Sequence, residues 1–428
     1  MKLILVRPTW TTRRMILPPL GLGYISARAK EAGNDVLVYD AWLKDETPQQ
    51  AMIGLIESGE LWEEKVIIGV QVYQHTVNWT REFFNHLRLY GVNAKFIVGG
   101  PYVTALREDA RIEMGADCAV IGEFEESINS HLDEILQGET LIEWTNWVDI
   151  NEHPFPDWDS MNLPDYWPYI YSAGVPLRGK RVGFIQRTRG CPHKCTFCAS
   201  GGIIMGKRVR FRKLSNVLEE LDYLVERWDI DELWFQDDDV TINYKKGIEL
   251  FKALAPYKLH IRLQMGIRVD QLTPEMLYWM KKAGVYYAGI GIESGNPRVL
   301  KRIKKGLDQE RVKKGVEDLV KHDITVMGFF MFGIPTETLA EMEETVAWAL
   351  KTKLHHAQFS IFIPYPGSED YGKGSTCSPE KLLEVQRRAT LRFYLRPRIL
   401  YSILIHLKPK QLKAIWNHRW VKNWLRRK

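Results

Sequence analysis

Short apolar runs alternate with amphipathic stretches along most of this chain, and this alternation strongly restricts its fold. The first part contains the runs KLILVRP, DVLVYDA and KVIIGVQVY, separated by helical stretches such as GLGYISARAKEAG. Runs rich in β-branched residues between helices are typical of parallel strands that are buried on both faces. The pattern predicts an α/β fold that begins with a doubly wound, Rossmann-like sheet over residues 1–140. Ligands in such a sheet lie beyond the carboxyl ends of the strands.

The alternation stops at residue 141 and resumes after Arg181. Residues 141–180 contain five prolines among aromatic residues, which indicates a linker that packs against its neighbours. Residues 181–375 then supply six strand and helix units. Six units are too few for a closed eight-stranded barrel, so we expect a partial (β/α)6 barrel with its site at the carboxyl ends of the strands. For residues 376–428 we expect a small helical C-terminal segment.

Composition narrows the class of protein. A chain of 428 residues with 45% hydrophobic content can bury a sizeable core, and two or three domains are expected. The first residues do not have the pattern of a signal peptide, and no run of about 18 apolar residues predicts a transmembrane segment. Five cysteines in a chain of this length are typical of a reducing cytoplasm.

Positive charge is concentrated at the C-terminal end. Residues 389–428 carry eleven Lys and Arg and no Asp or Glu, although the whole chain has a net charge of only +6. Trp416, Trp420 and Trp424 are spaced four apart, which places them on one face of a helix. Such a segment either packs on its own domain or binds an acidic protein surface, nucleic acid or lipid. We expect a protein or peptide partner rather than nucleic acid.

Three of the five cysteines lie close together in RGCPHKCTFCAS, as Cys191, Cys195 and Cys198. Three thiols cannot pair among themselves, and Cys118 and Cys377 are isolated, which argues against a disulfide framework. Zinc would need a fourth ligand in addition to these thiolates. Three thiolates in one loop suit a [4Fe-4S] cluster with one iron left open. The residues therefore favour a cluster, with a zinc site or three reduced core cysteines as alternatives.

With Phe197 before its third cysteine, this motif resembles that of the radical S-adenosylmethionine (SAM) enzymes. The stretches AGVYYAGIGIESGNPRVLKRIKKG and GFFMFGIPTET strengthen the likeness, which covers residues 181 to about 371. The resemblance implies that the three cysteines hold a [4Fe-4S] cluster at which SAM is bound and cleaved. It also implies an electron donor of the ferredoxin or flavodoxin type.

The same resemblance assigns SAM contacts to residues at predicted strand ends. The acidic run beginning Asp237-Asp238 follows the second strand, where the family holds the amino group of SAM, and Arg268 suits its carboxylate because the guanidinium is a planar fork. A carboxylate at Glu293 can accept both ribose hydroxyls. The residues implied to contact SAM are Phe197, Asp237, Asp238, Arg268 and Glu293.

The N-terminal part resembles the cobalamin-binding domain that is fused to one branch of this family. The likeness rests on LPPLGLGYISARAKEAG, IVGGPYVTAL and VIGEFEES. It implies that Gly99 and Gly100 let the corrin ring approach the backbone and that Gly122 and Glu123 line the groove of the nucleotide tail. The cobalt-binding motif Asp-x-His-x-x-Gly of the methionine-synthase type is missing, because the loop after the first strand reads RPTWTTRRM. In the branch that this part resembles, the loop after the third strand faces the lower side of cobalt instead, which makes Tyr73, Gln74 and His75 the candidate residues there.

Together the two likenesses imply a cobalamin-dependent radical SAM methyltransferase that moves a methyl group from SAM, by way of cobalamin, to an unactivated carbon. Ring contraction or cyclisation of a small metabolite is the alternative, and a non-catalytic cluster-binding module is a further one. Compact enzymes of this type resemble an archaeal methyltransferase that modifies the α-carbon of a glutamine in methyl-coenzyme M reductase. We therefore expect a residue of a protein or peptide as substrate. The linker aromatics that could enclose it are Trp158, Tyr166, Trp167 and Tyr169.

Overall fold

The computed structural model describes residues 1–10, 15–125, 128–144, 149–170, 175–397 and 399–400. The basic segment with Trp416, Trp420 and Trp424 lies outside the described residues. No helix in these ranges is both long and apolar enough to cross a membrane.

The first domain is a six-stranded parallel sheet with helices on both faces, which confirms the predicted doubly wound fold. Its strands are β1 (Lys2–Arg7), β2 (Asp35–Asp40), β3 (Val66–Gln71), β4 (Lys95–Gly99), β5 (Cys118–Ile121) and β6 (Leu141–Glu143). Its helices are α1 (Leu20–Glu31), α2 (Ala41–Lys44), α3 (Pro48–Glu57), α4 (Val77–Tyr90), α5 (Pro101–Leu106), α6 (Glu108–Met114) and α7 (Ile128–Gln137). The spatial order β2-β1-β3-β4-β5-β6 reverses direction between β1 and β3. Strand β6 continues the sheet slightly beyond the boundary at residue 140.

The second domain contains another six-stranded parallel sheet, in the order β7-β10-β11-β12-β13-β14. Its strands are β7 (Val182–Ile185), β10 (Glu232–Phe235), β11 (His260–Ile267), β12 (Val285–Glu293), β13 (Thr325–Phe332) and β14 (His356–Ile361), and β8 (Thr188–Arg189) pairs separately with β9 (Arg210–Phe211). The helices from the linker onwards are α8 (Trp158–Met161), α9 (Leu214–Trp228), α10 (Tyr244–Leu254), α11 (Pro274–Ala283), α12 (Pro297–Arg302), α13 (Gln309–Lys321), α14 (Leu339–Lys351) and α15 (Pro379–Tyr394). Within the described ranges β7 and β14 are edges of the sheet, so the predicted partial barrel is confirmed.

Local sequence signals account for the ends of several helices. Thr273 accepts a hydrogen bond from the backbone N–H of Met276 at 3.1 Å, Pro274 occupies the first turn of α11, and Gly284 ends the helix with a φ of 100°. A capping hydroxyl and a glycine in the left-handed region satisfy backbone groups that a helix leaves unpaired at its ends. These contacts fix the start of β12 and therefore the position of its carboxyl end.

Two of the four linker aromatics, Trp158 and Tyr166, form part of the core, and for these two this corrects the expectation that they enclose a substrate, whereas Trp167 and Tyr169 are half-buried. Trp158 and Tyr166 are each only 1% exposed. The indole N–H of Trp158 donates to Glu220 at 2.8 Å, and the hydroxyl of Tyr166 donates to Asp40 at 2.7 Å. Because Glu220 belongs to α9 and Asp40 to β2, the linker binds both domains. Neither aromatic ring is available to a substrate.

Candidate active site

The cysteine loop, residues 190–200, lies at the carboxyl edge of the second sheet. Its backbone is fixed from two sides, since the N–H of Cys191 donates to the carbonyl of Gly206 at 3.0 Å and that of Thr196 donates to Ile303 at 3.1 Å. Gly190 has a φ of 98°, and a Cβ atom there would collide with the carbonyl of Arg208. Only glycine tolerates this close approach, so the residue before the first cysteine is set by the turn.

The structure brings Cys191, Cys195 and Cys198 together as free, half-buried thiols. Burial raises the pKa of all three thiols, that of Cys191 to about 11, and the neighbouring thiols act in the same direction on Cys191. A bound metal reverses this tendency because coordination deprotonates a thiol. In the described part of the chain no three His, Cys, Asp or Glu side chains are placed to share one metal ion. A cluster does not require that, because each thiolate binds its own iron.

Phe197 anchors the cysteine loop in a small apolar cluster of the second domain. Its ring packs against a group of buried residues that follow β12, β13 and β14, namely Val299, Leu300, Ile303, Ile334 and Phe362. On another side the ammonium of Lys305 lies 5.9 Å from the ring centre. The aromatic residue of the motif therefore holds the loop against three strand ends.

Asp237 has a structural position at the end of β10. Its carboxylate accepts hydrogen bonds from the backbone N–H groups of Arg187 and Thr188 and from the hydroxyl of Thr188, at 2.5–3.1 Å. The side chain is buried, and burial raises its pKa to about 6. This geometry corrects the expectation of a SAM contact at Asp237, because the carboxylate supports the backbone that enters the cysteine loop.

Asp238, in contrast, is exposed beside the cysteine loop. It accepts a hydrogen bond from the hydroxyl of Ser200 at 2.8 Å, and its charge contributes to the raised pKa of Cys191 and Cys198. Asp239 is turned inward and accepts from the hydroxyl and the N–H of Thr241 at 2.6 and 2.9 Å. Of the three consecutive carboxylates, Asp238 alone is available to a ligand amine at this edge.

Arg268 and Glu293 follow β11 and end β12, next to the same loop. The guanidinium of Arg268 contacts both carboxylate oxygens of Asp270 at 3.1 Å and donates to the carbonyl of Lys305 at 2.9 Å. Glu293 has a φ of 66° and binds the ammonium of Lys305 at 2.8 Å. A glutamate in the left-handed region is uncommon and often marks a functional position.

Lys305 is a site residue that the sequence analysis missed. It is only 7% exposed, pairs with Glu293, and lowers the pKa of the Cys195 thiol by its charge. The signal for Lys305 in the sequence is weak, because Lys305 stands beside Lys304 in RIKKG and nothing in the spacing distinguishes them. In the structure Lys304 is exposed and pairs with Glu369 instead. Burial separates two lysines that the sequence presents as equivalent.

The carboxyl edge of the first sheet is aromatic where the strand order reverses. Tyr73, Gln74 and His75 follow β3 there, and Trp10 follows β1. The rings of Trp10 and His75 are stacked 3.6 Å apart with planes at 16°, and Tyr73 stacks 5.7 Å beyond His75. Burial lowers the pKa of His75 to about 4. The sequence analysis identified this loop but missed Trp10, whose place in the stack depends on the adjacency of β1 and β3.

The glycines predicted for cobalamin have different environments. Gly99 ends β4, and a Cβ atom there would have no neighbour closer than 3.7 Å. Gly100 and Gly122 have φ values of 99° and 89°, which other residues rarely adopt. A Cβ atom at Gly122 would also press on the carbonyl of Trp144, at 2.5 Å. A Cβ atom at Gly99 would make only ordinary contacts with Val120, so Gly99 is the least constrained of the three, while Gly100 and Gly122 are required by their own turns.

Glu123 links the two domains, which corrects the expectation that it lines the cobalamin groove. Its buried carboxylate binds Arg210 at 2.5 and 2.7 Å and lies 3.4 Å from Arg189. Arg189 also binds the buried Glu125 at 2.9 Å. Since Arg189 is two residues before Cys191, this ion-pair network connects the end of β5 directly to the cysteine loop.

A second contact brings the two carboxyl edges together. Helix α5, which follows β4, touches the π-helical turn Ser200–Ile204 that follows the cysteine loop. Nearby, a Cβ atom at Gly367 would lie 3.4 Å from Ala105 and 3.3 Å from Ile203. The two edges therefore face each other across a short distance, which allows one substrate to reach groups bound at both.

The described residues at the two carboxyl edges fit the cofactors that the resemblance implies, a [4Fe-4S] cluster with SAM at one edge and cobalamin at the other. At the second-sheet edge, three free thiols, an exposed carboxylate and a guanidinium match a cluster and a zwitterionic amino acid. At the first-sheet edge, the stacked rings of Trp10, His75 and Tyr73 match a flat macrocycle.

Two family models match the chain. The B12 binding domain matches residues 6–130 and the Radical SAM superfamily matches residues 185–349. An uncharacterised methyltransferase of Pyrococcus horikoshii is 28% identical, with 94% of each chain covered. Cytidylyl-2-hydroxyethylphosphonate methyltransferase of Streptomyces wedmorensis is 26% identical, with 86% of this chain and 80% of the relative covered.

Solved structures share the arrangement of both domains. The radical SAM methyltransferase TsrM from Kitasatospora setae, with cobalamin and a [4Fe-4S] cluster bound, has a TM-score of 0.67 at 16% identity, covering 86% of this chain and 73% of that one. The cobalamin-dependent radical SAM enzyme OxsB has a TM-score of 0.65 at 17% identity, covering 84% and 53%. Radical SAM enzymes require an electron donor. Taken together, the two domain matches, the methyltransferase relatives and the shared fold show that this chain belongs to the cobalamin-dependent radical SAM methyltransferase family, enzymes that use a [4Fe-4S] cluster, SAM and cobalamin.

Proposed function

We propose that this enzyme transfers a methyl group from SAM, by way of cobalamin, to an unactivated carbon of a protein or peptide. The observation that supports transfer most strongly is the direct contact of the two carboxyl edges, through Arg189 with Glu123 and Glu125 and through α5 with Ser200–Ile204. A substrate at the mouth of the barrel then lies between the two cofactors. When bound, the cluster and SAM supply hydrogen abstraction, and cobalamin supplies the methyl group.

The residues of the second-sheet edge would orient SAM by charge. Asp238 would accept hydrogen bonds from the amino group of SAM, and Ser200 holds its carboxylate in place. Arg268 would contact the carboxylate of SAM while Asp270 orients its guanidinium plane. Glu293 would accept the ribose hydroxyls, with Lys305 fixing its position. Each ligand group thus meets a side chain whose orientation a neighbour already sets, which reduces the entropy that binding must offset.

Apolar side chains at the rim of the barrel support a peptide substrate. Ile363, Tyr365 and Tyr371 are 49%, 41% and 46% exposed, and they follow β14, at the edge that carries the cysteine loop. Asp370, next to Tyr371, donates its N–H to the carbonyl of Thr196 in that loop at 3.0 Å. Exposed apolar side chains in one place are typical of a binding groove. An extended chain could lie along this rim with one residue inside the barrel.

We also propose a cytoplasmic location, since few cysteines and a cluster suit a reducing compartment.

Anaerobic incubation of the cluster-loaded, cobalamin-loaded enzyme with SAM carrying a deuterated methyl group tests the proposal. We would first use a glutamine-containing peptide from methyl-coenzyme M reductase, because methylation of its α-carbon has the required chemistry. Mass spectrometry should show the labelled methyl group on carbon, together with 5′-deoxyadenosine and S-adenosylhomocysteine in equal amounts. 5′-Deoxyadenosine without any methylated product, from any candidate substrate, would contradict methyl transfer and favour ring contraction or cyclisation.

A small metabolite is the second candidate substrate, and specific relatives favour it. The Streptomyces wedmorensis relative is named for cytidylyl-2-hydroxyethylphosphonate, and TsrM has been solved with tryptophan as substrate. Product analysis separates the candidates, because labelled methyl would then appear on a free metabolite and on no peptide.

A further inference from the structure

We propose that a basic surface beside the cysteine loop docks the acidic protein that delivers the electron to the cluster. This basic patch consists of Lys194, Lys207, Arg208 and Lys301. The inference rests on the cluster and the need for an electron donor. It does not depend on which substrate is methylated.

The basic patch flanks the cysteine loop on two sides. Lys194 lies within the loop and is exposed. Lys207 and Arg208 are exposed and follow Gly206, whose carbonyl accepts the N–H of Cys191 at 3.0 Å. These three side chains therefore start from backbone that touches or contains the cluster-binding loop.

Lys301 approaches from the other side. It is exposed in the last turn of α12, and the next two residues hold the loop. The guanidinium of Arg302 donates to the hydroxyl of Thr196 at 3.0 Å, and the carbonyl of Ile303 accepts the N–H of Thr196 at 3.1 Å. The four exposed cations thus belong to the loop itself and to the two segments that hold it.

The charge of the patch is not neutralised by its neighbours. Around it, Lys304 pairs with Glu369 at 2.6 Å, and Lys373 and Arg302 both pair with Asp370 at 3.2 and 2.7 Å. For Lys194, Lys207, Arg208 and Lys301, no such carboxylate partner occurs among the residues that the structure describes. The Lys304–Glu369 pair carries no net charge, and Arg302, Lys373 and Asp370 together leave one positive charge, so the patch and its surroundings are positive overall.

An acidic one-electron donor of the flavodoxin or ferredoxin class is the partner that suits this surface. A positive patch around the point of electron entry would steer a negative protein surface into an orientation close to the cluster, and such steering mainly raises the association rate. A small reductant such as dithionite needs no docking surface. The two kinds of reductant should therefore respond differently when the patch is removed.

The test compares two fourfold charge reversals in the cluster-loaded, cobalamin-loaded enzyme. One carries Lys194→Glu, Lys207→Glu, Arg208→Glu and Lys301→Glu. The matched control reverses four exposed lysines that precede strands at the opposite edge of the second sheet, namely Lys180, Lys258, Lys282 and Lys351. Both variants change net charge equally, so a general electrostatic effect would appear in both.

Isothermal titration calorimetry with oxidised flavodoxin provides a readout that does not depend on turnover. We expect the dissociation constant to rise about tenfold or more in the patch variant and by much less in the control, because only the patch would face the partner. Binding to the wild type should also weaken between about 0.1 M and 1 M salt, as the Debye length falls from about 10 Å to about 3 Å. Equal affinity in wild type and patch variant, or equal loss in both variants, would overturn the proposal.

SAM cleavage gives the second readout. A variant that keeps Lys194, the residue within the cluster-binding loop, and carries only Lys207→Glu, Arg208→Glu and Lys301→Glu should form 5′-deoxyadenosine normally with dithionite and slowly with reduced flavodoxin. Loss with both reductants would show that the residues affect the cluster itself and would overturn docking.

Zero-length carbodiimide crosslinking of the wild type avoids any folding defect of a variant. Crosslinks to flavodoxin carboxylates should form at Lys194, Lys207 or Lys301, and crosslinks confined to the four control lysines would contradict the proposal. If the wild type binds tRNA and the patch variant loses that binding while it still binds flavodoxin, the patch is a nucleic-acid surface and the proposal is overturned.

Discussion

The two carboxyl edges that face each other use opposite kinds of side chain. At the second-sheet edge, Arg268, Lys305, Glu293 and Asp238 are ionic groups around the cysteine loop. At the first-sheet edge, the reversal point of the strands carries stacked rings, and burial keeps His75 uncharged. The same α/β architecture therefore builds a polar site in one sheet and a flat aromatic site in the other.

The difference follows from the ligands that each edge suits. SAM carries an ammonium group and a carboxylate, which need charged partners because an unpaired charge near the interior is costly. A corrin is a broad ring that requires space and flat neighbours more than ion pairs. Arg7, the cation that ends β1, is neutralised by Asp40 at 2.7 Å. Mutations that remove charge should therefore affect SAM far more than cobalamin.

Removal of the three cysteines should produce the largest effect. In Cys191→Ala/Cys195→Ala/Cys198→Ala the visible iron–sulfur absorbance and all 5′-deoxyadenosine formation should be lost, because no thiolate remains to hold iron. Cobalamin should still bind, since its site is in the other sheet, and absorbance of the bound corrin measures this. Retained 5′-deoxyadenosine formation would reject the cluster assignment, and loss of corrin binding would show that the two edges are not independent.

Lys305→Met should have the next largest effect. Removing one partner of a buried ion pair typically costs about 3–5 kcal/mol of stability. The substitution Lys305→Met leaves the carboxylate of Glu293 without its ionic partner. Lys304→Met is the matched control, because Lys304 is exposed and such pairs contribute about 0–1 kcal/mol. Urea denaturation measures the free energy of unfolding. Adding Glu293→Gln to Lys305→Met should restore part of the loss; equal stability of the Lys304 and Lys305 variants would contradict the assignment.

Alanine substitutions at Asp237 and Asp238 should have different effects, the first mainly on the free energy of unfolding and the second mainly on the affinity for SAM. Asp237→Ala leaves the N–H groups of Arg187 and Thr188 without acceptors, and each buried unsatisfied group costs about 1–3 kcal/mol. Asp238→Ala should change stability by less than about 0.5 kcal/mol, as for most exposed sites, but should weaken SAM binding. Thermal unfolding and SAM titration of both variants measure this. Weaker SAM binding in Asp237→Ala at unchanged stability would restore Asp237 as a ligand.

Features encoded locally were predictable from the sequence, whereas pairings between distant residues were not. The alternation of apolar runs predicted both parallel sheets, and Thr273 and Gly284 predicted the ends of α11, because these signals lie within a few residues of each other. The pairing of Glu123 with Arg210 joins positions in different domains, so no local pattern contained it. For the same reason Glu123 was assigned to a ligand, and Trp158 and Tyr166 to a substrate.

The smallest effect on affinity is expected at His75, where the aromatic edge offers a neutral ligand for cobalt. Burial lowers the pKa of His75 from 6.5 to about 4, so the folded protein holds this imidazole unprotonated at neutral pH and still at pH 5.5. The corresponding contribution to stability is complete above pH 6.5 and is lost as the pH falls towards 4, because the unfolded chain binds the proton more tightly.

We expect the electron paramagnetic resonance spectrum of bound cob(II)alamin to show nitrogen superhyperfine splitting that is the same at pH 8 and pH 5.5. Labelling the protein with ¹⁵N-histidine should change the multiplicity of that splitting, and His75→Ala should remove it while cobalamin remains bound. If the wild type shows no splitting, cobalt has an open lower face or an oxygen donor such as Tyr73; splitting that ignores the label identifies the dimethylbenzimidazole nitrogen of the cofactor instead. In either case the stack of His75 on Trp10 serves only to support the ring.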